Sequence, residues 1–225
     1  MSSKMSQLPS LSLESSFFET GTRFVIGIDE VGRGSIAGPV AVGVALIDNQ
    51  RELQNWPVKL KDSKLLSEKT REEIFPLVSS WVSGWAVGMA SVQEIETKGI
   101  VESLSLAGFR ALEQMIRDPA LKEALSRDGV QIILDGSHNW LGPKAMGLPV
   151  VAKTKADRDC VSVACASVLA KVIRDRHMVE IHEEHPAFGL ASNKGYASES
   201  HIQALREQGP SPVHRLSWLT KILAR

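Results

Sequence analysis

Net charge is the first thing this 225-residue chain lacks: 26 lysines and arginines balance 26 aspartates and glutamates. No whole-molecule field draws in a polyanion, so any nucleic-acid binding must come from local basic patches. Cysteine is nearly missing as well. Cys160 and Cys165 stand five positions apart in a strongly helical stretch, which puts them off the same face and speaks against a disulfide. A reducing, cytoplasmic setting is therefore expected. No stretch reaches the length of a membrane span, and the serine-rich residues 1–22 hold no apolar signal-peptide core, so they read as a flexible N-terminal tail. Repeats are absent, and a hydrophobic content of 43% is enough for one sizeable core and excludes disorder throughout.

What is present begins at Phe24-Val-Ile-Gly-Ile-Asp29-Glu30-Val-Gly32-Arg33-Gly34-Ser-Ile-Ala-Gly38-Pro39-Val40. Phe24 to Ile28 has the length and β-branched content of a buried strand, so Asp29 and Glu30 fall where strand gives way to loop. Adjacent acids on a strand point to opposite faces unless the backbone turns there, and an isolated Asp-Glu pair is commonly a solvated turn. Gly32-x-Gly34-x-x-Ala37 also matches the dinucleotide-binding fingerprint, but that fingerprint must open a helix. Here Val40 to Ile47 alternates bulky and small residues and reads as a second strand, so the loop joins strand to strand.

Downstream, Ser67 is placed to cap a helix with Glu68 in its first turn, preceded by lysines 59, 61 and 64 that suit either a solvated loop or a phosphate cradle. Trp85–Ala90 reads as a third strand. Gly99–Ile116 is an amphipathic helix stopped by Asp118-Pro119. Val130–Leu134 is a fourth strand that again ends in an acid and a glycine, Asp135-Gly136, and Val150–Lys153 a short fifth. Between them the loop 137–149 matches no motif. Asp157 precedes the strongest helix, whose small residues Ala164, Cys165, Ala166, Ser167 and Ala170 would let it lie close against a sheet. A first-turn acid is an equally good reading of Asp157, and the preferred one of Asp159. His182-Glu-Glu-His185 spaces its imidazoles by three, not the four of a zinc hydrolase helix. Tyr196, the single tyrosine, sits in a Lys-Gly loop where its ring could stack on a sugar or base.

Asp29, Glu30, Asp135 and Asp157 could thus converge on one sheet edge. Four carboxylates without soft ligands favour Mg²⁺ or Mn²⁺, and two such ions about 4 Å apart suit hydrolysis of a phosphodiester.

The blocks Asp29-Glu-Val-Gly-Arg-Gly34, Asp62-Ser-Lys64, Leu134-Asp-Gly136, Lys155-Ala-Asp157 with Ala166-Ser-Val-Leu-Ala-Lys-Val-Ile-Arg-Asp175, Lys194-Gly-Tyr196 and Gly209-Pro-Ser-Pro-x-His-Arg215 together resemble type-2 ribonuclease H (ribonuclease HII), in order from about Arg23 to Trp218. The resemblance implies an α/β, ribonuclease-H-like mixed five-stranded sheet flanked by helices, with a small C-terminal helical extension. It implies a division into the tail 1–22, a catalytic domain 23–190 and a C-terminal substrate-binding part 191–225. It further implies an endoribonuclease that hydrolyses the RNA strand of RNA–DNA hybrids and also cuts 5′ of single ribonucleotides embedded in duplex DNA, leaving 3′-hydroxyl and 5′-phosphate ends, in ribonucleotide excision repair and primer removal. By that likeness Asp29, Glu30, Asp135 and Asp157 hold two Mg²⁺ or Mn²⁺ ions. Gly32-Arg33-Gly34 meets the 2′-hydroxyl and adjacent phosphate, Tyr196 stacks on the following deoxyribose, and Lys64 contacts backbone phosphate. Alanine at Gly32 or Gly34 is then expected to harm activity or selectivity more than folding. Cys165 and Trp218 depart from the family's more usual Ala and Phe as tolerable packing changes. A type-3 relative usually carries a further N-terminal domain, for which about twenty residues leave no room. A binding module with remnant acids and a small-molecule phosphatase or dinucleotide enzyme are the rivals outside the nucleases. The protein is expected to act as a monomer.

Overall fold

A computed structural model describes residues 8–51 and 53–223. Its centre is a five-stranded mixed sheet of β1 (Phe24–Val31), β2 (Val40–Asp48), β3 (Gly84–Ala90), β4 (Val130–Asp135) and β5 (Val150–Lys153), in the spatial order β3-β2-β1-β4-β5. β1, β2 and β3 pair antiparallel, while β1, β4 and β5 run parallel. Parallel neighbours end at the same sheet edge, which is why the acids closing β1 and β4 meet there. β1 runs three residues beyond the expected Ile28: Asp29 pairs with Gly43 and Glu30 with Val42, so both acids belong to the strand and keep its alternation.

The helices are α1 (Ser12–Glu19), α2 (Glu68–Trp81), α3 (Val92–Lys98), α4 (Ile100–Met115), α5 (Pro119–Asp128), α6 (Ala156–Asp159), α7 (Val161–Glu184), α8 (Leu190–Asn193), α9 (Glu199–Gln208) and α10 (Leu216–Leu223). One sheet face carries Phe24, Ile26 and Ile28 into a core with Leu104, Leu112 and Ile132; the other packs against α7 through Ala164, Val168 and Leu169. α7 lies unusually close because β1 and β2 present glycines to it. A Cβ on Gly27 would stand 2.2 Å from the Ser162 carbonyl carbon, and one on Gly43 would stand 2.4 Å from the Ala166 oxygen. The small-residue stretch of α7 and these two glycines are the two halves of one close contact.

Ser67 caps α2 as its position suggested, accepting from the Thr70 amide at 3.1 Å. Asp118-Pro119 does more than stop α4: Asp118 accepts from the Ala120 amide and Pro119 opens α5.

The expected loose tail over 1–22 is corrected in part. Residues 1–7 lie outside the described residues, but Ser12–Glu19 is a helix, and Glu14 is fully buried, accepting from the Ser162 amide at 2.9 Å and hydroxyl at 2.8 Å. Leu13, Phe17 and Phe18 pack around Val25, Ile133 and Val163. An apolar stripe and one carboxylate at the start of α7 therefore dock a segment whose serine content suggested disorder.

At the other end, α8, α9 and α10 form the C-terminal helical extension. Phe188, Leu190, Leu205 and Leu219 share a small core with Ile36, Ala37 and Met178. The extension thus packs on the loop that follows β1, and a bridge between Ala37 and His214 joins the two segments.

Candidate active site

Asp29, Asp135 and Asp157 each bring one carboxylate oxygen to within 4.8 Å of the others. Asp29 faces α7 from the end of β1 and is only 2% exposed. Asp135 closes β4 and accepts from the Ala156 amide at 2.7 Å, tying the start of α6 to the sheet and thereby placing Asp157 beside it. The reading of Asp157 as a mere first-turn acid gives way to this convergence. Asp159 takes the bland role expected of it, paired with Lys153 at 2.5 Å.

The electrostatics show what the three acids lack. Burial first, then the charge of Glu30, holds Asp29 well above the ordinary carboxylate range. Burial, followed by the charges of Asp157 and Glu30, pushes Asp135 up to about 6. A close counter-charge is Lys64, whose ammonium lies 3.1 Å from Asp157. Burial would depress that ammonium, but Asp29, Asp157 and Asp62 more than reverse the effect and raise it above the ordinary lysine value. One atom is also left over: Asp29 Oδ1 is buried with no hydrogen-bond partner among the described residues. Hard oxygen donors, mutual repulsion and an orphaned ligand atom fit a divalent cation of the Mg²⁺ or Mn²⁺ type.

Glu30 is outside this triad. Its oxygen lies 3.5 Å from Arg33 Nη1 on the cleft wall, and its charge still reaches Asp29 and Asp135. The fourth predicted ligand therefore stands at the margin of the cluster, not inside it, because strand alternation continues through position 30.

A cleft of about 170 Å³ opens beside the triad, lined by Glu30, Gly32, Arg33, Gly34, Lys64 and Tyr196, with Ser63 and Lys171 between them. The first six are sequence-predicted site residues, brought together from three separate parts of the chain. A larger hollow, about 640 Å³ and lined by Phe18, Asn49 and Arg51, holds none of this chemistry.

The two glycines of the loop differ. Gly32 has φ +81°, and a Cβ there would stand 2.1 Å from Arg174 Nε. Gly34 has no positive φ and no atom within 4 Å of a built Cβ, so its missing side chain leaves open space in the cleft. Tyr196 is 39% exposed, with Lys171 Nζ and Arg174 Cζ each 5.8 Å from its ring centroid.

Several residues were not legible as functional. The Ser167 hydroxyl bonds Asp29 and also contacts the Ser63 hydroxyl at 2.8 Å, a two-serine brace on the buried acid. Arg174 and Arg215, buried within motifs of the resemblance, bond the loop from behind. The types and spacing of these residues carry no signal of their own; only their contacts do.

The family model for ribonuclease HII matches residues 26–221. The chain is 44% identical over 199 residues to a ribonuclease HII of Streptomyces coelicolor, covering 88% of this chain and 78% of that protein. It is 40% identical over 219 residues to one of Paracoccus denitrificans, covering 96% of each. Among solved structures, the ribonuclease H2 of Pyrococcus horikoshii OT3 superposes with a TM-score of 0.68 at 26% identity, over 87% of this chain and 93% of that one.

Proposed function

The chain belongs to the ribonuclease HII family, nucleases that hydrolyse the RNA of RNA–DNA hybrids, and from that premise we propose that it is a metal-dependent endoribonuclease that also cuts 5′ of single ribonucleotides embedded in duplex DNA. The observation that carries this reading is the adjacency of the Asp29–Asp135–Asp157 cluster to a cleft walled by Gly32-Arg33-Gly34, Lys64 and Tyr196.

In this reading Asp29, Glu30, Asp135 and Asp157 would hold two Mg²⁺ or Mn²⁺ ions. When bound, the two ions would neutralise charge on the scissile phosphate and assist the attacking and leaving oxygens of an in-line displacement. The chain's own residues do the rest. Ser167 and the Ala156 amide fix the orientation of Asp29 and Asp135. Lys64, held at Asp157, offers its charge to the adjacent backbone phosphate. The loop at Gly34 lets the sugar approach the backbone closely enough for a 2′-hydroxyl to be recognised, and Tyr196 stacks on the deoxyribose that follows. Products carry 3′-hydroxyl and 5′-phosphate ends, and the work is ribonucleotide excision repair and primer removal, done by a monomer in the cytoplasm. Among the described residues no helix is long and apolar enough to cross a membrane.

The test is a labelled DNA duplex with one ribonucleotide, incubated with wild type and Asp29→Asn in Mg²⁺, in Mn²⁺ and in chelator, beside an all-DNA control. Metal-dependent cleavage just 5′ of the ribonucleotide is expected, lost by at least about a thousandfold in the variant. Binding without cleavage under every metal would point to a non-catalytic module instead.

A further inference from the structure

Two arginines, Arg174 on α7 and Arg215 just before α10, are wholly buried, 0% exposed, behind the Gly32–Gly34 loop. Among the described residues neither forms an ion pair with a carboxylate: Asp175, the acid next to Arg174, is instead committed to Lys171 at 2.7 Å and Arg71 at 3.5 Å. Their donors go to backbone carbonyls and one serine hydroxyl. Arg215 donates to the carbonyls of Gly32 at 2.8 Å, Arg33 at 3.0 Å and Gly38 at 3.0 Å. Arg174 donates to Pro39 O at 3.0 Å and Ser35 Oγ at 2.9 Å on the loop, and to Lys194 O at 3.0 Å on the segment that carries Tyr196.

Burying a guanidinium costs several kcal/mol even when its donors are satisfied, and a core built for stability alone would use apolar side chains. What these two achieve that apolar groups cannot is a fixed spacing. Arg174 is bonded to both walls of the cleft and also lies against the Tyr196 ring, while its guanidinium fills the space over Gly32. Arg215 holds the loop carbonyls from the C-terminal side.

We propose that Arg174 and Arg215 are positioning residues for ribonucleotide recognition: Arg174 sets the gap between the Gly32–Gly34 loop and Tyr196, and Arg215 fixes the conformation of the loop itself. Neither touches substrate. The assignment rests on the ribonuclease reading above.

Arg174→Lys and Arg215→Lys test it. Each keeps the positive charge, and so the long-range attraction for a polyanion, but three donors on one nitrogen cannot span acceptors on two segments. Steady-state cleavage is followed on a duplex with one ribonucleotide and on a continuous RNA–DNA hybrid, alongside thermal melting and the Kd for an all-DNA duplex in chelator. Arg174→Lys and Tyr196→Ala are each expected to lose at least about tenfold more kcat on the single ribonucleotide than on the hybrid, with the Kd of Arg174→Lys within about threefold of wild type. Combining the two substitutions shifts the ratio no further than Tyr196→Ala alone, since both act through one ring. Arg215→Lys lowers kcat on both substrates together. Ser35→Ala, which removes one acceptor of Arg174 and leaves the charge in place, shifts the ratio in the same direction by a smaller factor and serves if Arg174→Lys does not fold. A ratio that stays at the wild-type value in Arg174→Lys and Ser35→Ala, with losses that only follow the melting temperature, overturns the assignment. A wild-type chain that cuts neither substrate overturns the ribonuclease reading, and this assignment with it.

Discussion

At the scale of single residues, the loop glycines that look alike in Gly32-Arg33-Gly34 have different reasons to be glycine. Alanine at Gly32 meets a left-handed backbone and Arg174, and is expected to cost about 2–3 kcal/mol of stability through strain and displaced packing. Alanine at Gly34 meets only open cleft and is expected to change stability by less than about 0.5 kcal/mol while lowering cleavage at least about tenfold. Melting curves and rates measured on both variants separate the two; a Gly34→Ala protein with wild-type rates would remove the close-approach role. The expectation that alanine harms activity or selectivity more than folding is therefore sharpest at Gly34, while at Gly32 stability is expected to fall along with activity.

The acids make a second prediction at this scale. Asp135 has its proton held more tightly in the folded protein, about 6 against an ordinary 3.8, so the folded state binds more protons than the unfolded one between those values. Stability conferred by the neutral carboxyl is present below that window and lost as pH rises through it. At pH 7 in chelator the ionised group is a net cost, and Asp135→Asn is expected to raise stability by on the order of 1 kcal/mol, discounted for partial solvent screening. Mg²⁺ should raise the melting temperature of the wild type and not of the variant. A variant that melts lower in chelator would mean that the Ala156 amide bond outweighs the repulsion.

At the scale of elements, α1 is the clearest case of a segment whose role its composition concealed. Serines in 1–22 suggested solvent, yet Glu14 sits at the start of α7 and Phe17 and Phe18 cover the sheet. Removing residues 1–20 is expected to cost about 2–4 kcal/mol, because it uncovers Val25, Ile133 and Val163 and leaves the Ser162 amide without its carboxylate. Thermal melting of the truncated chain checks this, and an unchanged transition would return the segment to the status of a tail. The loop 137–149 is similarly structural: Trp140 donates to the Asp135 carbonyl at 3.1 Å, and Leu141 and Ala145 fill the core beside α4. Neither segment has the unbroken periodicity by which α4 and the strands could be read.

At the scale of the whole molecule, a chain with no net charge gathers its charge locally. Lys64, Lys171 and Arg33 line the same cleft as Glu30, beside the acidic triad, so attraction for phosphate and affinity for cations are built side by side. The sequence by itself determined the strands, the long helices and which acids end β1 and β4, because period-two and period-3.6 patterns and strand-ending carboxylates are local properties. It also carried the motif blocks that place the chain in its family. Only the tertiary structure decided that three of the four acids close on one another while Glu30 stands aside, since that depends on alternation running on through β1 and on α6 being tied to Asp135. Only the tertiary structure, too, revealed Arg174 and Arg215 as the backing of the loop. Their hydrogen bonds to it cross 135 and 183 residues of chain, and no pattern within a window of sequence contains a contact of that length.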